Sequence, residues 1–188
     1  FNNVIISIPS SDLKLLPEGL NTITASVSDL AENSASSKYS FSYDKTYPII
    51  KSINTSWGTY LNASADYDNG EVTVVTSGVE NNQILTIKLN NKSYFDSVIN
   101  EIVTIKIPKS DLQKLEEKSH FITANVSDLA GNAATELKFE FVYDISASII
   151  SINPYWKLYL NAIEDNSNGI IEVETKNIED NQIVTLEL

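Results

Sequence analysis

Ile122, Ala124 and Val126 alternate with Thr123 and Asn125 in the stretch Phe121-Ile122-Thr123-Ala124-Asn125-Val126. The residues that follow, Ser127-Asp128-Leu129-Ala130-Gly131-Asn132, end the alternation. A period of two marks a strand with one buried face. Asp and Asn then accept from nearby backbone amides while Gly takes a positive φ, which is the chemistry of a turn. The turn recurs as Val27-Ser28-Asp29-Leu30-Ala31-Glu32-Asn33. Trp57 returns as Trp156, Tyr60-Leu61-Asn62-Ala63 as Tyr159-Leu160-Asn161-Ala162, and Asn69-Gly70 as Asn168-Gly169. Ile8-Pro9 and Ser11-Asp12-Leu13 return as Ile107-Pro108 and Ser110-Asp111-Leu112. The period is about 99 residues, the size of a small domain, so the chain reads as a string of modules rather than a solenoid.

Within the one complete copy the alternation continues on both sides. Strands are expected at Ile49 to Asn54, Glu71 to Thr76, Gln83 to Leu89, Glu101 to Ile107, Phe121 to Val126 and Leu137 to Tyr143. Leu85, Ile87 and Leu89 share one face, as do Val103, Ile105 and Ile107, and Phe139, Phe141 and Tyr143. Such alternation belongs to antiparallel sheets with one face on the core. The only helical signal is one turn at Ser110 to Leu115, capped by Ser or Asp with Leu112 and Leu115 on one side. The expected fold is all-β: tandem immunoglobulin-like β-sandwich domains of about 100 residues, without the Cys…Trp…Cys framework of true immunoglobulin domains. Residues 1–46 hold the C-terminal half of one repeat, 47–145 a complete repeat, and 146–188 the N-terminal half of another. The connections Tyr43 to Pro48 and Tyr143 to Ala147 are short and carry no Gly/Ser tract, so neighbouring domains have little freedom.

Composition narrows the function classes. A hydrophobic share of 42% suffices for packed cores. No apolar run approaches the roughly 20 residues needed to cross a bilayer, so no membrane insertion is expected. With 25 acidic against 13 basic residues the net charge is −12, which repels nucleic acid and anionic membranes but suits hard cations held by carboxylates. Cysteine is absent, which excludes disulfides, thiolate metal sites and Cys nucleophiles. An extracellular domain without disulfides commonly uses metal ions as its staple. The single His, His120, faces Asn21 in the other copy and stands outside the repeated design. No acid/base pair is marked by the motifs, and no enzymatic activity is expected.

The order of motifs resembles the bacterial Ig-like repeats of giant surface adhesins exported by type I secretion, including the biofilm-associated group. The residues that carry the resemblance are Asp44 with Pro48, Leu61-Asn62, Asn82 to Thr86, Asp111 to Leu115, and Val126 to Asn132. The resemblance covers the whole chain through the repeat, and the order and spacing of the motifs are more specific than any one of them. Departures exist: Glu164 of the Leu-Asn-x-x-Glu stretch is Ala65 in the other copy, a family Gly is Asn82 and Asn181, and the Ala-Gly-Asn Gly is Glu32 in the first copy. No Pro follows Asp144.

The resemblance implies calcium at the domain junctions, an extracellular location on the bacterial surface, and a role in adhesion to host cells or biofilm. Calcium takes six to eight oxygens from carboxylates, amides and backbone carbonyls. On that reading Asp44 meets Asp128, Asn132, Glu80 and Asn81. Asp144 meets Asn62, Asp66 and Asp68 of one domain and Glu179 and Asp180 of the next. Asp29, Asn33, Asn161, Glu164 and Asp165 serve the outer junctions. The alternative remains that Asp-x-Ala-Gly-Asn is only a turn. Asp68-Asn69-Gly70 and Asn166-Ser167-Asn168-Gly169 read chiefly as hairpin chemistry.

Two further readings concern partners. Trp57 with Tyr60 and Trp156 with Tyr159 form a repeated aromatic pair, either a platform for host or matrix glycans or, preferentially, packing at the sandwich edge. The half-repeats expose apolar positions such as Val4, Ile6, Ile8, Tyr39 and Phe41. The halves are expected to leave opposite poles of the central repeat, which implies either head-to-tail self-association of the halves or, alternatively, a parent chain that simply continues at both ends.

Overall fold

The computed structural model describes residues 3–188; Phe1 and Asn2, at the start of the expected first half-repeat, lie outside the described residues. The chain is all-β, with the architecture of Ig-like β-sandwich domains of about 100 residues. In chain order it runs α1 (Ser10–Leu13), β1 (Gly19–Ser28), β2 (Ser34–Tyr43), β3 (Ile49–Thr55), β4 (Tyr60–Leu61), β5 (Gly70–Ser77), β6 (Ile84–Leu89) and β7 (Lys92–Ser97). It continues with β8 (Ile102–Ile107), α2 (Lys109–Leu112), β9 (Lys118–Asn125), β10 (Leu137–Tyr143), β11 (Ser148–Pro154) and β12 (Ile171–Lys176). Two 3-10 turns, Ala65–Tyr67 and Glu164–Asn166, occupy equivalent places in the repeat. Among the described residues no helix is long and apolar enough to cross a membrane.

The strands form a three-stranded sheet in the order β3-β5-β8, a five-stranded sheet β4-β10-β9-β6-β7, and two hairpins, β1-β2 and β11-β12. All six strands expected in the complete repeat are present. Two more escaped the sequence: β4 is only two residues long, and β7 (Lys92-Ser93-Tyr94-Phe95-Asp96-Ser97) is an edge strand with no buried residue and so no apolar alternation. The register slips between Ile50 and Ser52 where β3 meets β5, and again between Ile149 and Ser151 where β11 meets β12, so even the bulge is repeated. Residues 3–9 and 182–188 carry no strand, although the sequence expects one in each.

The chain divides into two compact units. One comprises residues up to 56, 71–107 and 120–140, and its core is the predicted alternation made real. Val72 and Val74 of β5, Leu85, Ile87 and Leu89 of β6, Val103, Ile105 and Ile107 of β8, and Ile122 and Ala124 of β9 are all buried. His120 is buried here too, its Nδ1 3.3 Å from the Asn90 Oδ1.

The other unit comprises residues 57–70, 108–119 and 141–188, and buries Leu61, Leu112, Phe141 and Tyr143. β4 runs parallel to the end of β10, pairing Tyr60 with Val142 and Leu61 with Tyr143. The Trp57 ring meets Phe141 edge-on at 5.4 Å, and a Cβ on Gly70 would lie 2.3 Å from the Trp57 Cζ3. Gly169 stands in the same relation to Trp156, at 2.6 Å.

The Asn-Gly pairs are therefore not hairpin turns. Neither Gly70 nor Gly169 has a positive φ, and glycine is required because an indole ring occupies the side-chain space. Asn69 serves α2 instead. Its Oδ1 accepts from the Lys109 amide at 3.0 Å, so this side chain, rather than Ser110 or Asp111, satisfies the first turn of that helix. Pro108 precedes that turn and has no side-chain cap to offer. We expect Gly70→Ala to cost about 1–3 kcal/mol through overpacking, read as a lower melting temperature with the fold retained. An unchanged melting temperature would show that the indole can move aside.

Candidate functional site: the carboxylates around the two linkers

Each linker begins with an Asp whose own backbone turns around it. The Asp44 Oδ1 accepts from the Thr46 amide at 2.9 Å, and the Asp144 Oδ1 accepts from the Ser146 amide at 3.2 Å. An Asp that caps its own chain two residues on fixes the exit direction of the linker. A Glu from the preceding turn then holds the same residue. The Thr46 hydroxyl donates to the Glu18 Oε1 at 2.5 Å, and the Ser146 hydroxyl donates to the Glu117 Oε2 at 2.6 Å. Glu18 also accepts from the Lys45 amide at 3.2 Å. Glu18 is exposed, and the Thr46 hydroxyl, followed by the Lys45 amide, holds its carboxyl below the usual range.

A third carboxylate joins each pair. Glu18, Asp44 and Glu80 line one open cleft with Leu129 and Ala130, while Glu117, Asp144 and Glu179 line another with Asn177 and Ile178. The Glu80 Oε2 accepts from the Leu129 amide at 2.9 Å, tying the cleft to the Asp-x-Ala-Gly-Asn turn. Asn62 and Ser64 line an adjoining cleft with Asp144 and Glu179. Sequence reasoning missed Glu18 and Glu117. The signal was available, since they are equivalent under the same period that relates Glu80 to Glu179, but Glu-Glu and Pro-Glu contexts form no recognisable motif.

The turns themselves are self-contained. The buried Asp128 accepts from the Asn132 amide at 2.8 Å and from its side-chain amide at 2.9 Å. Burial works to raise its carboxyl. The hydrogen bonds from Asn132, Gly131 and Ala130 outweigh it and hold the group below the usual range. Asp29 makes the same bonds to Asn33, at 2.8 and 2.9 Å, and the Asn33 side chain and amide lower its carboxyl too. What the central copy adds is a bond from the Asn132 side-chain amide to the Asp44 carbonyl at 3.2 Å. Glu32 occupies φ 65° where the other copy has Gly131 at 93°, so the missing glycine leaves the turn's backbone unchanged in kind. Asn82 and Asn181, which replace a family glycine, stand at φ 71° and 70° in the same way.

The remaining expected ligands take varied places. Asn81 holds the Asn100 amide through its Oδ1 at 2.7 Å. Asn161 caps the amides of Ile163 and Glu164, and the Glu164 Oε2 returns to the Asn161 amide, a local box closed on itself. Asp68, Asp165 and Asp180 are exposed. Asp66 is not at the surface: it is buried, and its Oδ2 accepts from the Tyr143 hydroxyl at 2.6 Å. Burial pushes the Tyr143 phenol up to about 12, with the hydrogen bond and charge of Asp66 and the charge of Glu117 adding to it.

A phenol raised in the folded state contributes stability that is complete below its unfolded value of 10 and is lost as pH rises towards about 12. The stability difference between wild type and Tyr143→Phe is therefore expected to be flat from neutral pH to 10 and to close above it. A constant gap throughout, measured by denaturation at each pH, would contradict this.

The donor chemistry of the two clefts fits a hard cation, since every candidate group is an oxygen. Among the described residues no three His, Asp or Glu side chains stand close enough together to hold one ion. The aromatic pair divides: Trp57 and Trp156 are half-buried against their glycines, while Tyr60 and Tyr159 are exposed.

No family model matches the chain, and no curated protein matches it. Among solved structures, a segment of a 1.5-MDa bacterial ice-binding adhesin matches 85% of this chain and 51% of its own at 16% identity, with a TM-score of 0.51. A calcium-stabilised adhesin with which an Antarctic bacterium binds ice matches 78% of this chain and 36% of its own, at 17% identity and a TM-score of 0.40. An Ig-like domain of the M. primoryensis ice-binding adhesin matches 50% of this chain and 96% of its own, at 18% identity and a TM-score of 0.37. The chain spans about half of the first of these structures and about a third of the second. At these identities the likeness concerns the fold alone.

Proposed function

We propose that this chain is a non-enzymatic stalk segment of a large bacterial surface adhesin, in which calcium at the linkers stiffens a row of Ig-like repeats. One observation carries the reading. The same three carboxylates, Glu18, Asp44 and Glu80, recur as Glu117, Asp144 and Glu179 around equivalent linkers, each with the same hydroxyl clamp on the second residue after the Asp. Three carboxylates around a short linker repel one another, and the lysine beside each set, Lys45 near Glu18 and Lys118 on the lining of the second cleft, offsets one of the three charges. A divalent cation would draw them inward and complete its shell from backbone carbonyls and water. The linker would then lose hinge freedom, which is what a stalk holding a distal binding region away from a cell requires. Attachment to host cells or biofilm, and secretion by the type I route, belong to this reading through the sequence resemblance.

Calcium is expected to raise the melting temperature. Binding to the folded state alone stabilises by about 3 kcal/mol at a hundredfold excess over the dissociation constant. Asp44→Asn and Asp144→Asn should each remove part of the response, and the double variant nearly all of it. If calcium and chelator give one melting curve, the cation reading fails.

A further inference from the structure

We infer that Asn81 and Glu101 are positioning residues for the linker at Asp44: they lock the loop between β5 and β6 so that Glu80 stays in the cleft beside Asp44. The consequence for calcium rests on the stalk reading, whereas the lock itself is a matter of hydrogen bonds. The loop, residues 78–83, carries Glu80 and has Val79 as its buried side chain. A loop with so little burial is free to open unless something else fixes it. This one is fastened along its length to the turn between β7 and β8. The Gly78 amide donates to the Glu101 Oε1 at 3.1 Å, and the Asn100 amide donates to the Asn81 Oδ1 at 2.7 Å. The Asn82 amide donates to the Val98 carbonyl, and the Val98 amide to the Gln83 carbonyl, both at 2.9 Å. The last two bonds are backbone pairs that other side chains would also allow. The first two need a particular side chain, and they hold the loop on either side of Glu80.

The turn is built to present them. Ile99 and Ile102 exchange backbone hydrogen bonds at 2.9 and 3.1 Å, with Asn100 at φ 51° and Glu101 at φ 64° between them. Two central residues of positive φ make the twisted two-residue hairpin turn. Asn enters that region readily and glycine is the usual second residue, but glutamate is neither. A residue kept where its backbone is disfavoured points to a need for its side chain. Here the carboxylate reaches the Gly78 amide through one oxygen, and the other lies 3.6 Å from the Lys51 Nζ. The Glu101 carbonyl separately accepts from the Thr76 amide at 2.8 Å and from its hydroxyl at 3.0 Å. The turn therefore stays on the end of β5 even when the Glu101 side chain is removed. Asn81 has committed its oxygen to the Asn100 amide, and its side-chain nitrogen is a donor that cannot ligate a cation, so it serves Glu80 rather than the ion. Beyond the loop the Glu80 Oε2 accepts from the Leu129 amide at 2.9 Å, so the place of Glu80 can be read at that amide with no ion present.

Hydrogen exchange of the Leu129 amide, followed by nuclear magnetic resonance in chelator, reads the lock directly. Asn81→Ala and Glu101→Ala are each expected to speed it about tenfold, the order that follows from one lost hydrogen bond. Each should also weaken calcium binding at the Asp44 linker by about the same factor, measured by isothermal titration in an Asp144→Asn background where that linker alone responds. Glu101→Gln keeps an acceptor for the Gly78 amide while removing the charge, and should restore both readings. Asn81→Asp keeps an acceptor for the Asn100 amide and should restore slow exchange at Leu129. Unchanged exchange in both alanine variants would overturn the inference. So would a Glu101→Gln chain that behaves like Glu101→Ala, since the charge and not the hydrogen bond would then be at work. If the unsubstituted chain takes up no calcium, the stalk reading fails by itself. Exchange at Leu129 still decides the lock in that case, faster in the alanine variants if it exists and unchanged if it does not.

Discussion

Phe141→Ala is expected to destabilise the central repeat by about 3–5 kcal/mol, since it removes a fully buried aromatic ring and leaves a cavity that neighbours fill only in part. Small domains have about 5–15 kcal/mol in total, so most of the margin would go, with a fall in melting temperature on the order of 20 °C. The position is costly because the ring meets the edge of Trp57 at 5.4 Å, and Trp57 in turn lies over Gly70. Truncation therefore loosens three residues drawn from three separate stretches of sequence. Thermal melting gives the stability, and a red shift of tryptophan emission gives the loss of packing. Phe141→Leu keeps much of the volume and should recover more than half of the stability. If Phe141→Ala costs under 1 kcal/mol, the aromatic edge of this repeat does not hold it together.

Tyr143→Phe removes one oxygen and is expected to cost roughly 2–3 kcal/mol. The lost group is the donor to the buried carboxylate of Asp66, and hydrogen bonds to charged groups are worth about 1.5–3 kcal/mol, more when the partner is stranded. The hydroxyl also joins the end of β10 to the 3-10 turn Ala65–Tyr67, immediately before the linker Asp144. Replacing both partners, as Tyr143→Phe with Asp66→Leu, should cost less than Tyr143→Phe alone, because no carboxylate is then left buried without its donor. A double variant weaker than either single one would refute the stranded-carboxylate explanation.

Much of the fold was legible because the strands of the central repeat bury one face and so write a period of two into the sequence. Leu85, Ile87 and Leu89 on β6, and Val103, Ile105 and Ile107 on β8, are buried as their alternation requires. The silent elements had no such face: β4 is two residues long, and β7 buries none of its residues. The Asn-Gly pairs misled because glycine answers two needs, a positive φ and an absent side chain, and only three dimensions show that Trp57 and Trp156 impose the second.

Of the candidate ligands that the family resemblance implies, Asp44, Asp144, Glu80 and Glu179 line the two linker clefts. Glu18 and Glu117 went unnoticed because their partner is a hydroxyl 28 or 29 positions along the chain, a contact that no local pattern encodes. Asp66 reads as one more acidic residue beside Asp68. Its burial under Tyr143 depends on a side chain 77 positions away.

The stalk proposal stands or falls on whether the linkers are hinges closed by calcium. Small-angle scattering can decide, at a concentration where light scattering shows a single species, in calcium and then in chelator. Calcium should remove a spread of bent conformers, giving a narrower, more elongated distance distribution that reverts in chelator. That change should be absent in the Asp44→Asn, Asp144→Asn double variant. Superimposable curves for the wild-type chain in calcium and in chelator would contradict the proposal.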